Sequence, residues 1–346
     1  MKKIILAGAS IAALAMAAPA YAQSSSTVSQ TGSGNQADVT QENANTSDIE
    51  QDGDNNDADV TQTGVGTTGN FVDINQTATG SNTADVNQAS GTANSFADVT
   101  QDGTSDGNLA DIDQNSAQAA TTAEIFQTDA ITGTATISQG GGNGANNFAG
   151  IIQGDSTIAG GTVSGSTNAT ATIFQEGDNN VALTLQTGVD QIAFTNQNGA
   201  GSGNDATVIQ GAFGGGSGDA FILQIGDTST ADIFQNSDGN DADIGQNGAN
   251  NTSFIDQGFV GGAGVGGDGN TAITTQDGTG NLSAIEQNIT VAGGGNSADV
   301  LQDADNNQSF ITQDGSTLSA TVTQSTDGNF SSVNQSGTGN TLTVNQ

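Results

Sequence analysis

The chain has 346 residues, with 37 acidic side chains, two lysines and no histidine, cysteine or tryptophan. Without imidazole or thiol it lacks the usual nucleophiles, general bases and zinc ligands. With two lysines against 37 carboxylates there is no cationic surface to set against phosphate, and nucleic-acid binding is excluded as well.

Residues 1–22 read as a secretory signal. Lys2 and Lys3 form a basic head, residues 4–18 are apolar and small, and Ala20-Tyr21-Ala22 is a cleavage site. The mature chain is then expected to start at Gln23, with no basic residue to offset its 37 carboxylates. No later segment approaches the ~20 consecutive apolar residues of a membrane span. Disulfides cannot form, although export would permit them.

High charge with low hydrophobicity ordinarily means disorder. An internal repeat argues otherwise. Gln30, Gln41, Gln51, Gln62, Gln76 and Gln88 begin a series with steps of 10 to 14 residues that reaches Gln153. It resumes at Gln175 and runs to Gln313, Gln324, Gln335 and Gln346. Two residues before most of these glutamines stands Val or Ile, and four before stands Ala or Ser. Six before stands Asn in many units: Asn35, Asn45, Asn56, Asn70, Asn82, Asn329 and Asn340. Gly often follows two residues after, as at Gly32 and Gly53. The unit is N-x-A-x-[VI]-x-Q, then a Gly-containing turn.

The specified positions alternate with a period of two, so Asn, Ala, Val/Ile and Gln share one face of a strand. One such strand cannot bury its single large apolar residue alone. The predicted fold is all-β: a β-solenoid of stacked cross-β strand-turn-strand rungs, two ~11-residue units per rung and about 13 rungs. Inward Gln and Asn are expected to bond up and down the stack as amide ladders, which satisfies groups otherwise costly to bury. The candidate assembly ladder comprises Gln30, Asn35, Gln41, Gln51, Asn56, Gln62, Asn70, Gln76, Asn82 and Gln88, with Gln313, Asn329, Gln335, Asn340 and Gln346 at the far end.

The repeat domain spans 23–346. The wide gap between Gln153 and Gln175 is read as a degenerate unit at 154–168 around Val163 and Gly165, in preference to a connector, and 258–269 as a long turn. With that unit counted, the long turns before Gln76, Gln153, Gln224, Gln276 and Gln302 share one edge; with a connector they split between edges. Before Gln186, Gln197 and Gln276, Thr occupies the Val/Ile place while Leu183, Phe194 and Ile273 stand one position earlier. A one-residue slip exchanges strand faces, so the register there stays open.

The outward positions carry two signals. Asp38, Asp48, Asp59, Asp73, Asp85, Asp98 and Asp111 recur three residues before Gln in seven successive units. Stacking makes them like-charge columns. They read as a brake on assembly, as sites where divalent cations bridge carboxylates, or simply as solubilising charge. A two-carboxylate hydrolase would need one distinct pair, whereas these acids repeat evenly. Phe71, Phe96, Phe126, Phe148, Phe174, Phe221, Phe234, Phe254, Phe310 and Phe330 also fall outward and should be exposed. They either support bundling and adhesion or only favour strand conformation.

The spacing Q-x4-N-x5-Q, from Gln30 through Asn35 to Gln41 and again from Gln335 through Asn340 to Gln346, resembles the curlin repeat of curli subunits. The resemblance covers residues 24–346. It departs in placing Asn in both alternating strands and in its larger number of units. It implies a structural, non-enzymatic protein that self-associates into extracellular amyloid fibres for biofilm and surface adhesion. It also implies export through an outer-membrane secretion pore of a Gram-negative-type bacterium, and a nucleator subunit. No cofactor is expected. The competing reading is a surface β-solenoid adhesin or ligand-binding solenoid that does not polymerise; Thr170/Thr172 and Thr321/Thr323 resemble threonine ladders but recur at no fixed place. The motif reaches Gln346 without a polar cap, so an extendable strand edge is expected there.

Overall fold

The computed structural model describes residues 24–63, 69–78, 80–89, 93–115, 120–140, 146–154, 166–198, 203–211, 217–258, 269–288 and 294–346. The predicted leader therefore lies outside the described residues. Among those described there are 26 strands, β1 to β26 in chain order, and no helix. Odd strands form one parallel sheet of 13 and even strands a second of 13, called here the first and second sheets.

β1 (Ser25–Ser33) leads into β2 (Gln36–Gln41) of the opposite sheet, and β3 (Thr46–Asp54) returns to lie beside β1. Parallel strands need a long crossover; here the crossover is the strand of the other sheet. Register follows the repeat unit: Val28 lies beside Ile49 and Gln30 beside Gln51, as Gln41 lies beside Gln62 on β4 (Asp57–Thr63). The chain is thus a β-solenoid with two strands per rung.

Its core is thin. Inward Ile49, Ile74, Ile125 and Ile151 face Val60, Val86, Ile112 and Ile137 from the opposite sheet, with alanines such as Ala58, Ala84 and Ala110 beside them, all at zero exposure. Each buried Val or Ile stabilises by about 1.5–3 kcal/mol. Alanine keeps the sheets close.

The turns need left-handed backbone at two places. Gly53, two after its Gln, has φ +129°, and an added Cβ would meet the Ala78 carbonyl O at 2.0 Å. The second place is seven before most of the glutamines, filled for example by Gly34, Asn55, Asn94, Ala120, Thr132 and Asp190, all with positive φ. Asn and Asp tolerate this conformation better than other side chains do.

β11 (Phe148–Gly154) lies in the first sheet and β12 (Thr170–Gln175) in the second. Residues 154–168, read from the sequence as a degenerate unit, join these two strands. Most of that segment, 155–165, lies outside the described residues, as do Val163 and Gly165. Of the 258–269 turn, only Gly258 and Gly269 are described. The long connections divide between the two edges: 64–68 and 141–145 lead from second sheet to first, whereas 155–165, 212–216, 259–268 and 289–293 lead from first to second.

The three units with Thr in the Val/Ile place keep the common register. Thr184 pairs with Ile151, Thr195 with Ile173 and Thr274 with Ile244, and each threonine is fully buried. Thr274 Oγ1 bonds Ser283 Oγ at 3.2 Å, but Thr184 and Thr195 Oγ1 have no partner. The apolar core divides at this level, one cluster ending at Ala182 and the next opening at Ala193. Replacing an unpartnered hydroxyl with a methyl group removes its desolvation penalty, about 1–3 kcal/mol. Thr184→Val and Thr195→Val are therefore each expected to stabilise the protein by about 1 kcal/mol, read from the thermal midpoint. A lower midpoint for either would show that its hydroxyl has a partner.

Candidate functional site

Gln follows Ala and Val/Ile on the inward face, so strand alternation itself aims its amide into the stack. In the first sheet each Nε2 donates to the Oε1 one rung further on, from Gln30 through Gln51, Gln76, Gln101, Gln127, Gln153, Gln186, Gln210, Gln235, Gln257, Gln287 and Gln313 to Gln335, at 2.7–3.1 Å. The second sheet has a matching ladder from Gln41 through Gln62 and Gln88 to Gln346, at 2.6–3.0 Å. Both ladders run the same way without a break.

The second amide hydrogen crosses to the opposite sheet. Gln51 donates to the Gln36 carbonyl, Gln62 to Thr46 and Gln101 to Thr83, at 2.8–3.3 Å. Each glutamine thus joins rung to rung and sheet to sheet. Charge-free amides can do this deep in the protein because donor and acceptor demands are both met.

Asn behaves differently from the amide-on-amide ladder expected of it. Asn56 N–H donates to Asn35 Oδ1 at 3.0 Å, Asn82 N–H to Asn56 Oδ1 at 3.2 Å and Asn329 N–H to Asn307 Oδ1 at 2.8 Å. Where its own Nδ2 has a partner, this is commonly a backbone carbonyl near a strand end, as with Asn35 to Thr31 and Gly53 and Asn340 to Ser336, whereas Asn56 and Asn307 Nδ2 have none among the described residues. One methylene shorter than Gln, and placed at the start of the strand, it meets backbone before it meets another amide. Asn70 Oδ1 likewise accepts the Ser95 N–H at 3.0 Å. Gln links rungs through side chains; Asn closes turns through the main chain.

On the outer faces, register lines carboxylates into two ladders. Asp38, Asp59, Asp85 and Asp111 succeed one another on the second sheet. Asp48, Asp73, Asp98 and Glu124 do so on the first. Partial burial, then neighbouring charge, raises the carboxyls of Asp59, Asp73 and Asp85 above their ordinary value, and Asp98 is pushed up to about 6. Further along, burial and then Glu286 push Asp256 up to about 7. Among the described residues no group of three or more acidic side chains is gathered tightly enough to hold a metal ion. Nor is any helix long and apolar enough to cross a membrane.

Most outward phenylalanines are half-buried rather than exposed; Phe221 and Phe330 are the open ones. Neighbouring rungs account for part of this: some rings meet across rungs, whereas Phe126, Phe148 and Phe174 lie beside non-aromatic register partners. Phe71 stacks on Phe96 with centroids 5.6 Å apart, and Phe194 on Phe221 at 5.1 Å.

The curlin associated repeat matches three regions of the chain, residues 43–64, 226–258 and 318–346. The first contains Gln51, Asn56 and Gln62, and the last contains Gln324, Gln335, Asn340 and Gln346. No curated protein matches the chain.

Proposed function

From the curlin associated repeats that the chain carries, we propose that it is a curli-type structural subunit that stacks end to end into an extracellular cross-β fibre. The one-way direction of both amide ladders is the observation that carries this reading. At one end Gln30 and Gln41 are the first donors, and their Oε1 atoms accept nothing among the described residues. At the other end Gln335 and Gln346 accept from the rung below and spend one amide hydrogen each on the Ser319 and Phe330 carbonyls. A second copy placed head to tail would continue both ladders, with Gln335 donating to Gln30 and Gln346 to Gln41. Head to head, acceptor would face acceptor.

The first rung supports the same reading. Val28 is 45 % exposed, whereas its partner Ile49 one rung on is fully buried. An end-to-end neighbour would cover Val28 with Val333 and Val39 with Val344. Export by the 1–22 signal, passage through an outer-membrane pore, help from a nucleator, divalent cations bridging the carboxylate ladders, and roles in biofilm and adhesion all belong to this proposal.

Seeded growth of the mature chain, followed by thioflavin fluorescence and fibre diffraction, tests it. A ~4.8 Å meridional reflection is expected. Val28→Asp with Val39→Asp should slow elongation at least tenfold while circular dichroism stays unchanged. A chain that stays monomeric under seeding would instead establish the non-polymerising surface solenoid.

A further inference from the structure

The middle of the first sheet wears its large apolar side chains outside. β13 (Val181–Gln186) is the seventh of the 13 strands in that sheet. Val181, Leu183 and Leu185 face outward on it, while Thr184 lies inside with its hydroxyl unpartnered. A slip of one residue would bury the leucines and free the threonine. The glutamine ladder forbids that slip, since Gln186 is bonded to Gln153 and to Gln210 at 2.9 Å.

The neighbouring rungs extend the feature on both sides. β9 (Thr122–Thr128) and β11 precede β13 in the sheet, and β15 (Asp205–Gln210) and β17 (Thr230–Gln235) follow it. Their residues one before Gln, in register, read Phe126, Ile152, Leu185, Ile209, Phe234. The column is a palindrome about the middle rung. Its four outer members are partly open, Leu185 is closed in at 2 % exposure, and Val181 beside it is 41 % exposed. From β10 (Thr134–Gly140) through β11, β12 and β13 to β14 (Gln191–Gln197), no strand carries a carboxylate. In a chain this acidic, that charge-free waist is where a like-charged surface can approach.

We propose that the outer face of the first sheet pairs with the same face of a second copy, about a two-fold axis lying along β13. A palindromic column is what a two-fold contact requires, because the same patch must complement itself. Phe126 then meets Phe234, Ile152 meets Ile209, and Leu183 and Val181 lie over their own copies, with Leu185 closed in beside them. Charge selects this axis over the alternative. A two-fold axis along the stack would set each rung over its own copy, placing Asp48, Asp73 and Asp98 against themselves. The axis along β13 sets the same three over Phe310, Ala284 and Phe254, and acid then faces acid only where Glu124 meets Asp232 and, at the strand ends, where Asp52 meets Asp314. Thirteen rungs of six-residue strand present a face on the order of 60 Å by 20 Å, which exceeds the ~800 Å² per partner of a standard interface.

The absence of cysteine makes the geometry directly testable. Facing sheets lie ~10 Å apart, within reach of a short bis-maleimide. The mature chain is treated as fresh monomer, before any fibre has grown, so the outcome does not depend on end-to-end stacking. Leu183→Cys is expected to cross-link to itself. Asp98→Cys alone should not, whereas Asp98→Cys mixed with Phe254→Cys should. Ile152→Asp with Ile209→Asp, added to Leu183→Cys, should lower the yield at least tenfold with the circular dichroism unchanged. Self-linking of Asp98→Cys as strong as that of Leu183→Cys would overturn the axis. Leu183→Cys linking no better than Thr27→Cys in the first rung would overturn the pair. An Ile152/Ile209 variant that melts earlier yet links equally well would assign the column to the stability of the single chain, and would overturn the pair too.

Discussion

Gln101→Glu is expected to lower the free energy of unfolding by about 3–5 kcal/mol at pH 7, the range seen when removing one partner of a buried ion pair leaves an uncompensated buried charge. The change is nearly isosteric, so the effect isolates the protons. Gln101 Nε2 donates to Gln127 Oε1 at 2.7 Å and to the Thr83 carbonyl at 3.1 Å, while its Oε1 accepts from Gln76 at 2.9 Å. A carboxylate keeps the accepted bond but sets its other oxygen against two acceptors, at zero exposure. Burial raises such a carboxyl above its unfolded value. The penalty is therefore full above the folded pKa and fades as pH falls toward the unfolded value of about 4.3, where a protonated Glu regains one donor. Gln101→Ala removes the same bonds and leaves a cavity, but carries no charge and should show no such recovery. Urea unfolding of both variants at pH 7 and pH 4 distinguishes them. A Glu variant as stable as the parent at pH 7 would mean that the ladder is not a continuous buried chain of donors and acceptors.

The second large effect is pH itself. Asp98, at about 6, and Asp256, at about 7, both lie above the value an unfolded Asp would have. Burial is the larger cause in both; Asp73 and Glu124 add to it for Asp98, and Glu286 for Asp256. The folded protein therefore binds more protons than the unfolded chain between pH 7 and 4, and stability should rise on acidification across that window. Partial exposure screens these interactions, so each group is expected to contribute on the order of 1 kcal/mol. Asp98→Asn with Asp256→Asn should raise the thermal midpoint at pH 7, leave it nearly unchanged at pH 4, and flatten the profile between. A midpoint that falls steadily as the parent protein is acidified would rule this out. If the chain stacks end to end as proposed, growth should quicken over the same window, because protonation relieves the ladders of like charge.

Much of the fold was legible because one residue type marks phase. Gln at a fixed place, with Ala and Val/Ile alternating before it, determines strand, face and register together. The same marker settles the units where hydrophobicity misleads: Leu183 and Phe194 point outward because Gln186 and Gln197 do not. The second left-handed turn position was not legible. Gly, Asn, Asp, Thr and Ala all occupy it, so composition hides a conformation that the backbone repeats in nearly every unit. The role of Asn was only half legible. Its inward side follows from periodicity, but reaching backbone in place of another amide depends on one methylene, which spacing does not encode. Nor does the sequence reveal that Phe rings shelter one another, because that contact joins residues such as Phe71 and Phe96 from separate rungs.

Ladder partners are separated by as few as 21 residues, between Gln30 and Gln51, and as many as 36, between Gln139 and Gln175, yet their bonds measure 2.7 and 2.9 Å. Phase is thus kept by the amide and not by the length of chain that returns to it. Closing a longer loop adds only about 0.6 kcal/mol per doubling. The connections that already differ in length are consequently the sites for inserting foreign peptide, and a scaffold that counts by glutamine can display different inserts there without losing count.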